Sequence, residues 1–250
     1  FHALLGKYDY QKIISDAIVE KRLGDAKAYL KDLQESQSDA VYFCSPAEIY
    51  RIQAKIALSE TTPDYQKAID QLGKAITVEP QNLFLHLELA RVYKQFTAHS
   101  QHMMLAETAH ARATELSNWR SDLLAEWLAV LRQLPPHKWI EHTRQIPWAK
   151  RSELVFELRA SGYLELRQYD KVWDECADFF DRFRFDPHMY EIAGKAAENI
   201  PPLDLITWKH QRPNAEKIYA MVSLVWERNG NMELAAECYA RAVGLWQESE

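Results

Sequence analysis

Near the C-terminal end the apolar positions fall on one helical face. Tyr219, Val222, Ser223 and Trp226 give an aromatic, an aliphatic, a small residue and an aromatic within about two turns. Asn229-Gly230-Asn231 supplies a turn, and Ala235, Tyr239 and Ala242 continue the pattern on a second helix. Two helices pack closely as an antiparallel pair where small side chains meet. That assigns Ser223, Ala235 and Ala242 to the crossing, and Tyr219, Trp226 and Tyr239 to the space beside it.

The figure recurs upstream. Tyr50, Gln53, Ala54 and Ala57 precede Ala68, Leu72 and Ala75, with a longer turn at 59–63 and Glu79-Pro80 as the close. Leu89, Ala90 and Tyr93 precede Ala106, His110 and Ala113, with His86 standing where an aromatic is usual. Phe156, Ala160 and Tyr163 precede Tyr169, Val172, Cys176 and Phe179, ending near Asp186-Pro187. Bulky Phe179 replaces a small residue there, which predicts looser or differently angled packing. A fainter unit holds Ile13, Ala17, Gly24-Asp25, Tyr29 and Leu33.

Ala75 to Ala113 is one stretched period, and Ala113 to Phe179 and Phe179 to Ala242 are each about two periods of roughly 34 residues. The pattern resembles W-x2-L-G-x2-Y…A-x3-F of the tetratricopeptide repeat family over nearly the whole chain. The resemblance implies an all-α fold of about twelve helices, stacked as antiparallel pairs into a right-handed superhelix. It implies a single continuous solenoid over 1–250. Clearer repeats are expected at 10–43, 44–82, 83–117, 151–187 and 214–247, and degenerate units at 118–150 and 188–213, where prolines interrupt. The half-a-tetratricopeptide repeats of RNA-processing scaffolds are a related resemblance, but the Gly/Asn and Asp-Pro punctuation favours the ordinary repeat.

Composition narrows the function classes. Seven glycines in 250 residues argue against a sheet-rich fold with many tight turns, and 47% hydrophobic content can bury a substantial core. A net charge of −6, from 36 acidic and 30 basic residues, shows no basic excess or stripe of the kind nucleic-acid binding uses. No apolar run is long enough for a membrane span. Phe1-His2-Ala3-Leu4-Leu5 has neither an initiator Met nor a signal-peptide pattern, so a fragment of a longer chain is expected. Cys44, Cys176 and Cys238 form no disulfide framework. They read as free, buried thiols, which leans towards a reducing, cytoplasmic compartment.

Candidate chemistry is sparse. Phosphate-binding loops, HExxH, GxSxG and Asp-x-Asp are absent, so no catalytic residue, cofactor or metal is assigned and the chain is not expected to be an enzyme. His99, His102 and His110 with Glu107 are the most tempting metal cluster, but zinc wants closer, rigidly held ligands. His110 reads better as filling an aromatic slot. His137 and His142 are five apart, on different helical faces. Trp119, Trp127, Trp173 and Trp226 read as core, whereas Trp139, Trp148 and Trp208 fit no packing stripe.

The resemblance also implies that the first helices line a concave groove. Off the packing stripe lie Arg51, Lys55, Phe84, Leu87, Arg91 and Lys94, a basic, partly apolar patch suited to an acidic peptide. Further along, Glu157, Glu165, Glu216 and Glu227 take equivalent places. The expected function is therefore a non-catalytic protein-interaction scaffold or adaptor. The alternative is an accessory domain of a larger bacterial enzyme or envelope-assembly protein, a glycosyltransferase for instance, with catalysis outside this chain.

Overall fold

The computed structural model describes residues 7–35, 44–96, 100–183, 186–197, 199, 215–228 and 230–247. All regular structure among them is helical, with thirteen α-helices, one 3-10 turn and no strand. Residues 1–5, His99, the Pro201-Pro202 interruption and Trp208 lie outside the described residues. So do Asn229 and the side chain of Glu216. The chain divides between Val130 and Leu131 into two compact units.

The first unit contains α1 (Lys7–Val19), α2 (Leu23–Glu35), α3 (Pro46–Leu58), α4 (Tyr65–Val78), α5 (Leu83–Gln95), α6 (Ser100–Leu116) and most of α7 (Ser121–Leu131). Polar residues at the expected breaks start these helices. The Ser45 hydroxyl accepts from the Glu48 N–H at 3.2 Å just before Pro46, and the Asp64 carboxylate accepts from the Lys67 N–H at 2.9 Å. Asn82 accepts from the Phe84 N–H at 3.1 Å. Each satisfies a donor that the first helical turn leaves without a partner, worth about 0.5–2 kcal/mol.

Small residues set how closely α3 and α4 approach. Ala54 and Ala57 meet Ala68, Leu72 and Ala75, and Leu72 also packs against Leu85 and Val92 of the next first helix. The N-terminal pair repeats this, with Ile14 and Ala17 on α1 against Ala26, Leu30 and Leu33 on α2 and the isoleucines of α3. Trp127 of α7 is fully buried, and its indole N–H donates to Glu107 of α6 at 2.8 Å.

The second unit contains α8 (Pro136–Thr143), a 3-10 turn (Trp148–Lys150), α9 (Glu153–Glu165), α10 (Tyr169–Arg182), α11 (Pro187–Ala197), α12 (Ala215–Arg228) and α13 (Met232–Gln247). Its core joins Phe156, Ala160, Trp173, Cys176, Met189, Ala193, Tyr219 and Val222. Phe179 is buried in an aromatic cluster, with ring centroids 6.2 Å from Phe156, 5.4 Å from Phe180 and 5.1 Å from Phe183. The space that a small residue would have closed is filled by rings packed largely edge to face.

Three short turns share one construction. Lys21, Arg167 and Gly230 all adopt left-handed backbone, at φ 58°, 56° and 76°. The residue after each donates its N–H five residues back: Arg22 to Ala17, Gln168 to Tyr163 and Asn231 to Trp226, at 2.8–2.9 Å. This closure satisfies the last carbonyls of α1, α9 and α12 and reverses the chain into the second helix. Glycine alone adopts that backbone without a steric penalty, so of these three turns the sequence advertised only the one at Gly230; a fourth, at Asn118 (φ 57°), closes from Trp119 to Thr114 at 2.9 Å.

Ala235 and Ala242 are buried against α12, as the periodicity predicts, but Tyr239 is 61% exposed. That exposure corrects the expectation that it fills the space beside the crossing. At the matching positions Leu72, His110 and Cys176 are buried. Replacing Ala242 (6% exposed) with Leu overpacks the crossing and is expected to cost about 1–3 kcal/mol. An unchanged guanidinium midpoint would show that Ala242 does not sit at a close contact.

Candidate functional site

The face built by the first helices of the N-terminal unit carries most of the candidate residues. Helix α5 explains how. Leu85 and Val92 face the α4 contact, and Leu87 packs with Ala113 of α6 and Leu123 of α7. The row Phe84, Glu88, Arg91 and Gln95, at helical spacings of four, three and four, is left facing outward. Phe84 is 61% exposed, and Arg91 and Lys94 are exposed with no ion pair to any described residue.

Leu87, expected in the groove, is only 5% exposed. It is a packing residue, because the side of α5 it occupies meets the next helices. Arg51 and Lys55 require a second correction. The Arg51 guanidinium donates to both Glu88 oxygens at 2.6–2.9 Å and to Glu48 at 3.3 Å. The hydrogen bonds to Glu88 hold the Arg51 guanidinium pKa above its usual value against the opposing effect of burial. Lys55 Nζ lies 3.9 Å from the same carboxylate. Both cations therefore act first as a tie between α3 and α5, and of the four candidate cations Arg91 and Lys94 are those with no ion pair among the described residues. The signal for Glu88 was present in the sequence, since it stands four residues after Phe84 and three before Arg91 on one helical row.

Beneath this face, His110 of α6 is buried with no hydrogen-bond partner for Nδ1. Burial pushes its imidazole below the usual histidine range. Glu126 opposes that shift, while Lys94 and Arg91 reinforce it. The folded chain thus keeps His110 neutral at pH values where the unfolded chain protonates it. Stability contributed this way is complete above the unfolded value of about 6.5 and is lost as pH falls through the folded one. The thermal midpoint is expected to drop from pH 7.5 to 5.5 by less in His110→Phe than in the wild type. Equal drops in scanning calorimetry would exclude His110 as the cause.

The other candidates separate. His102 Nδ1 lies 2.8 Å from the Phe96 carbonyl, and its ring stacks on Phe96 at 4.4 Å. Glu107 takes the Trp127 N–H, and no group of three potential metal ligands occurs among the described residues. His86, in the aromatic's place, lies with Nε2 3.0 Å from the Pro80 carbonyl. Trp127 and Trp173 are fully buried, Trp119 and Trp226 partly so, and Trp148 is about half exposed. Trp139 donates its indole N–H to the Leu134 carbonyl at 2.7 Å. All three cysteines are free, and burial raises the Cys176 thiol and pushes Cys238 up to about 11, so neither is a ready nucleophile.

In the second unit, Glu157 pairs with Arg132 at 2.7 Å, while Glu165 and Glu227 are exposed. No described helix is long and apolar enough to cross a membrane. No protein-family model matches the chain, and no curated protein sequence matches it.

Proposed function

We propose that this chain is a non-catalytic interaction scaffold of the tetratricopeptide kind, binding a segment of another protein across α3 and α5. The observation that carries the reading is the outward row of α5. A phenylalanine 61% exposed lies on a row with Arg91 and close to Lys94, and neither cation has an ion pair among the described residues. Exposed aromatic and guanidinium groups are what protein interfaces use as anchors. Arg91 and Lys94 suit carboxylates on the partner, through charge-assisted hydrogen bonds and faster encounter. The Arg51–Glu88 tie keeps α3 and α5 in register, so the row is presented on a fixed frame.

Reversing both free charges in Arg91→Glu/Lys94→Glu should leave stability within about 0.5 kcal/mol, as for most surface substitutions. Partner binding should fall by about tenfold or more, that is by at least 1.4 kcal/mol. Quantitative affinity capture with wild type and double variant side by side tests this. Proteins retained by the wild type and lost from an equally stable variant support the reading, and identical sets overturn it.

A further inference from the structure

Two second helices carry the same apolar row, and each row is covered by the helix that follows. On α4 the row is Tyr65, Ile69, Leu72 and Ile76. It joins the core that Leu85 and Val92 of α5 complete, and the Tyr65 ring stacks on Phe96 at 5.3 Å. On α10 the row is Tyr169, Trp173, Cys176 and Phe180. The Phe180 ring stacks on Tyr190 of α11 at 4.1 Å, and the Cys176 thiol donates to the Met189 carbonyl at 3.8 Å.

The register of the repeat places Met232, Ala236, Tyr239 and Val243 in the same row of α13. There the row is open. Met232 and Tyr239 are each 61% exposed, Ala236 is exposed and Val243 is half-buried. The neighbouring helix extends this surface. Arg51 and Lys55 are the residues by which α3 meets Glu88 of α5, and their counterparts on α12 are Ala220 and Leu224. Leu224 is 48% exposed. Where α3 offers two cations, α12 offers two apolar side chains. Repeat ends that stay in water carry polar outer faces, and contiguous exposed apolar surface marks a contact.

The order of sizes along the row points to its occupant. Met232, Ala236, Tyr239 and Val243 alternate larger and smaller. Two copies of α13 laid antiparallel, about a two-fold axis between Ala236 and Tyr239, set Tyr239 against the partner's Ala236 and Met232 against the partner's Val243. Large then meets small along the whole row, as interdigitating helices require. A parallel pairing would set Tyr239 on the partner's Tyr239. The row itself is uncharged, and Glu237 at its flank pairs with Arg241 of the same helix. The two-fold axis carries the two copies' Glu233 carboxylates to opposite ends of the contact.

We infer that the chain forms a two-fold dimer through this end face, with the row of α13 packed antiparallel on itself. The inference does not depend on the reading of the α5 row. The α13 row covers about 17 Å of helix. That is a contact at the small end of specific interfaces, so a dissociation constant of about micromolar is expected.

Sedimentation equilibrium of the 250-residue chain over about 1–200 µM, a range that brackets such an affinity, tests this. The wild type should pass from monomer to dimer. Tyr239→Ala sets small against small and Ala236→Tyr sets large against large, and each should raise the dissociation constant about tenfold or more. Ala236→Tyr/Tyr239→Ala restores large against small in the same register and should recover most of the lost affinity. Both positions are exposed, so circular dichroism and thermal midpoints of the variants should match the wild type.

A wild type monomeric throughout overturns the inference and leaves the end face to a helix of other origin. Single variants that dimerise like the wild type overturn it as well, because the contact then lies elsewhere. A double variant no tighter than the single ones overturns the antiparallel register, and the second copy with it.

Discussion

Replacing Arg159 with leucine is expected to cost about 3–5 kcal/mol, among the largest effects of any single change in the chain. Arg159 on α9 and Glu175 on α10 have side chains only 7% and 8% exposed, and the guanidinium donates to Glu175 Oε1 through Nε at 2.7 Å. Nη1 donates to the Thr143 hydroxyl of α8 at 3.2 Å and Nη2 to the Tyr163 hydroxyl at 3.4 Å, so one side chain ties three helices together. Glu175 Oε2 has no hydrogen-bond partner. Removing the arginine would leave a buried carboxylate without its ion-pair partner, with Arg151 acting on it only through space, and that poorly compensated charge is the source of the cost.

The double variant Arg159→Leu/Glu175→Leu removes both charges and should recover most of the loss, because the pair itself contributes little beyond offsetting its own desolvation. Guanidinium unfolding of the three proteins measures both effects. A single variant as stable as the wild type would show that water reaches Glu175.

Trp127→Ala in the N-terminal unit should cost about 3–5 kcal/mol, through lost burial and the cavity left behind. Trp127 is fully buried, and its ring centroid lies 6.0 Å from that of Trp119. Its N–H donates to Glu107, itself almost wholly buried. Trp127→Phe keeps most of the volume but removes that donor, which isolates the hydrogen bond to a charged acceptor at about 1.5–3 kcal/mol. Urea denaturation of the two variants separates the contributions. Equal losses would mean that the hydrogen bond, and not the packing, dominates.

Some of this structure was legible before any coordinates. The i, i+3, i+4 recurrence of apolar residues and the cap residues Ser45, Asp64 and Asn82 are local signals, acting within one or two turns. They locate the helices, the breaks between them and the small residues at the crossings, and Ala235 and Ala242 are buried for that reason. The left-handed turns at Lys21 and Arg167 were not legible, because neither residue type advertises that backbone.

The candidate face was legible only in part. Helical spacing takes Arg51, Lys55, Phe84, Arg91 and Lys94 off the packing stripe, and only the resemblance to a repeat family suggested that they share one face. What each of these residues meets was decided by neighbours distant in sequence. Glu88 captures Arg51 across 37 residues of chain, Leu123 and Ala113 cover Leu87, and Glu175 reaches Arg159 from the next helix. Tyr239 has the same local pattern as Leu72 and Cys176 but lies open, whereas Leu72 and Cys176 share core clusters with the helix that follows them. Helical periodicity is a property of a segment and is written in its own residues. Burial and charge pairing depend on which other segment arrives alongside, and only the tertiary structure decides that.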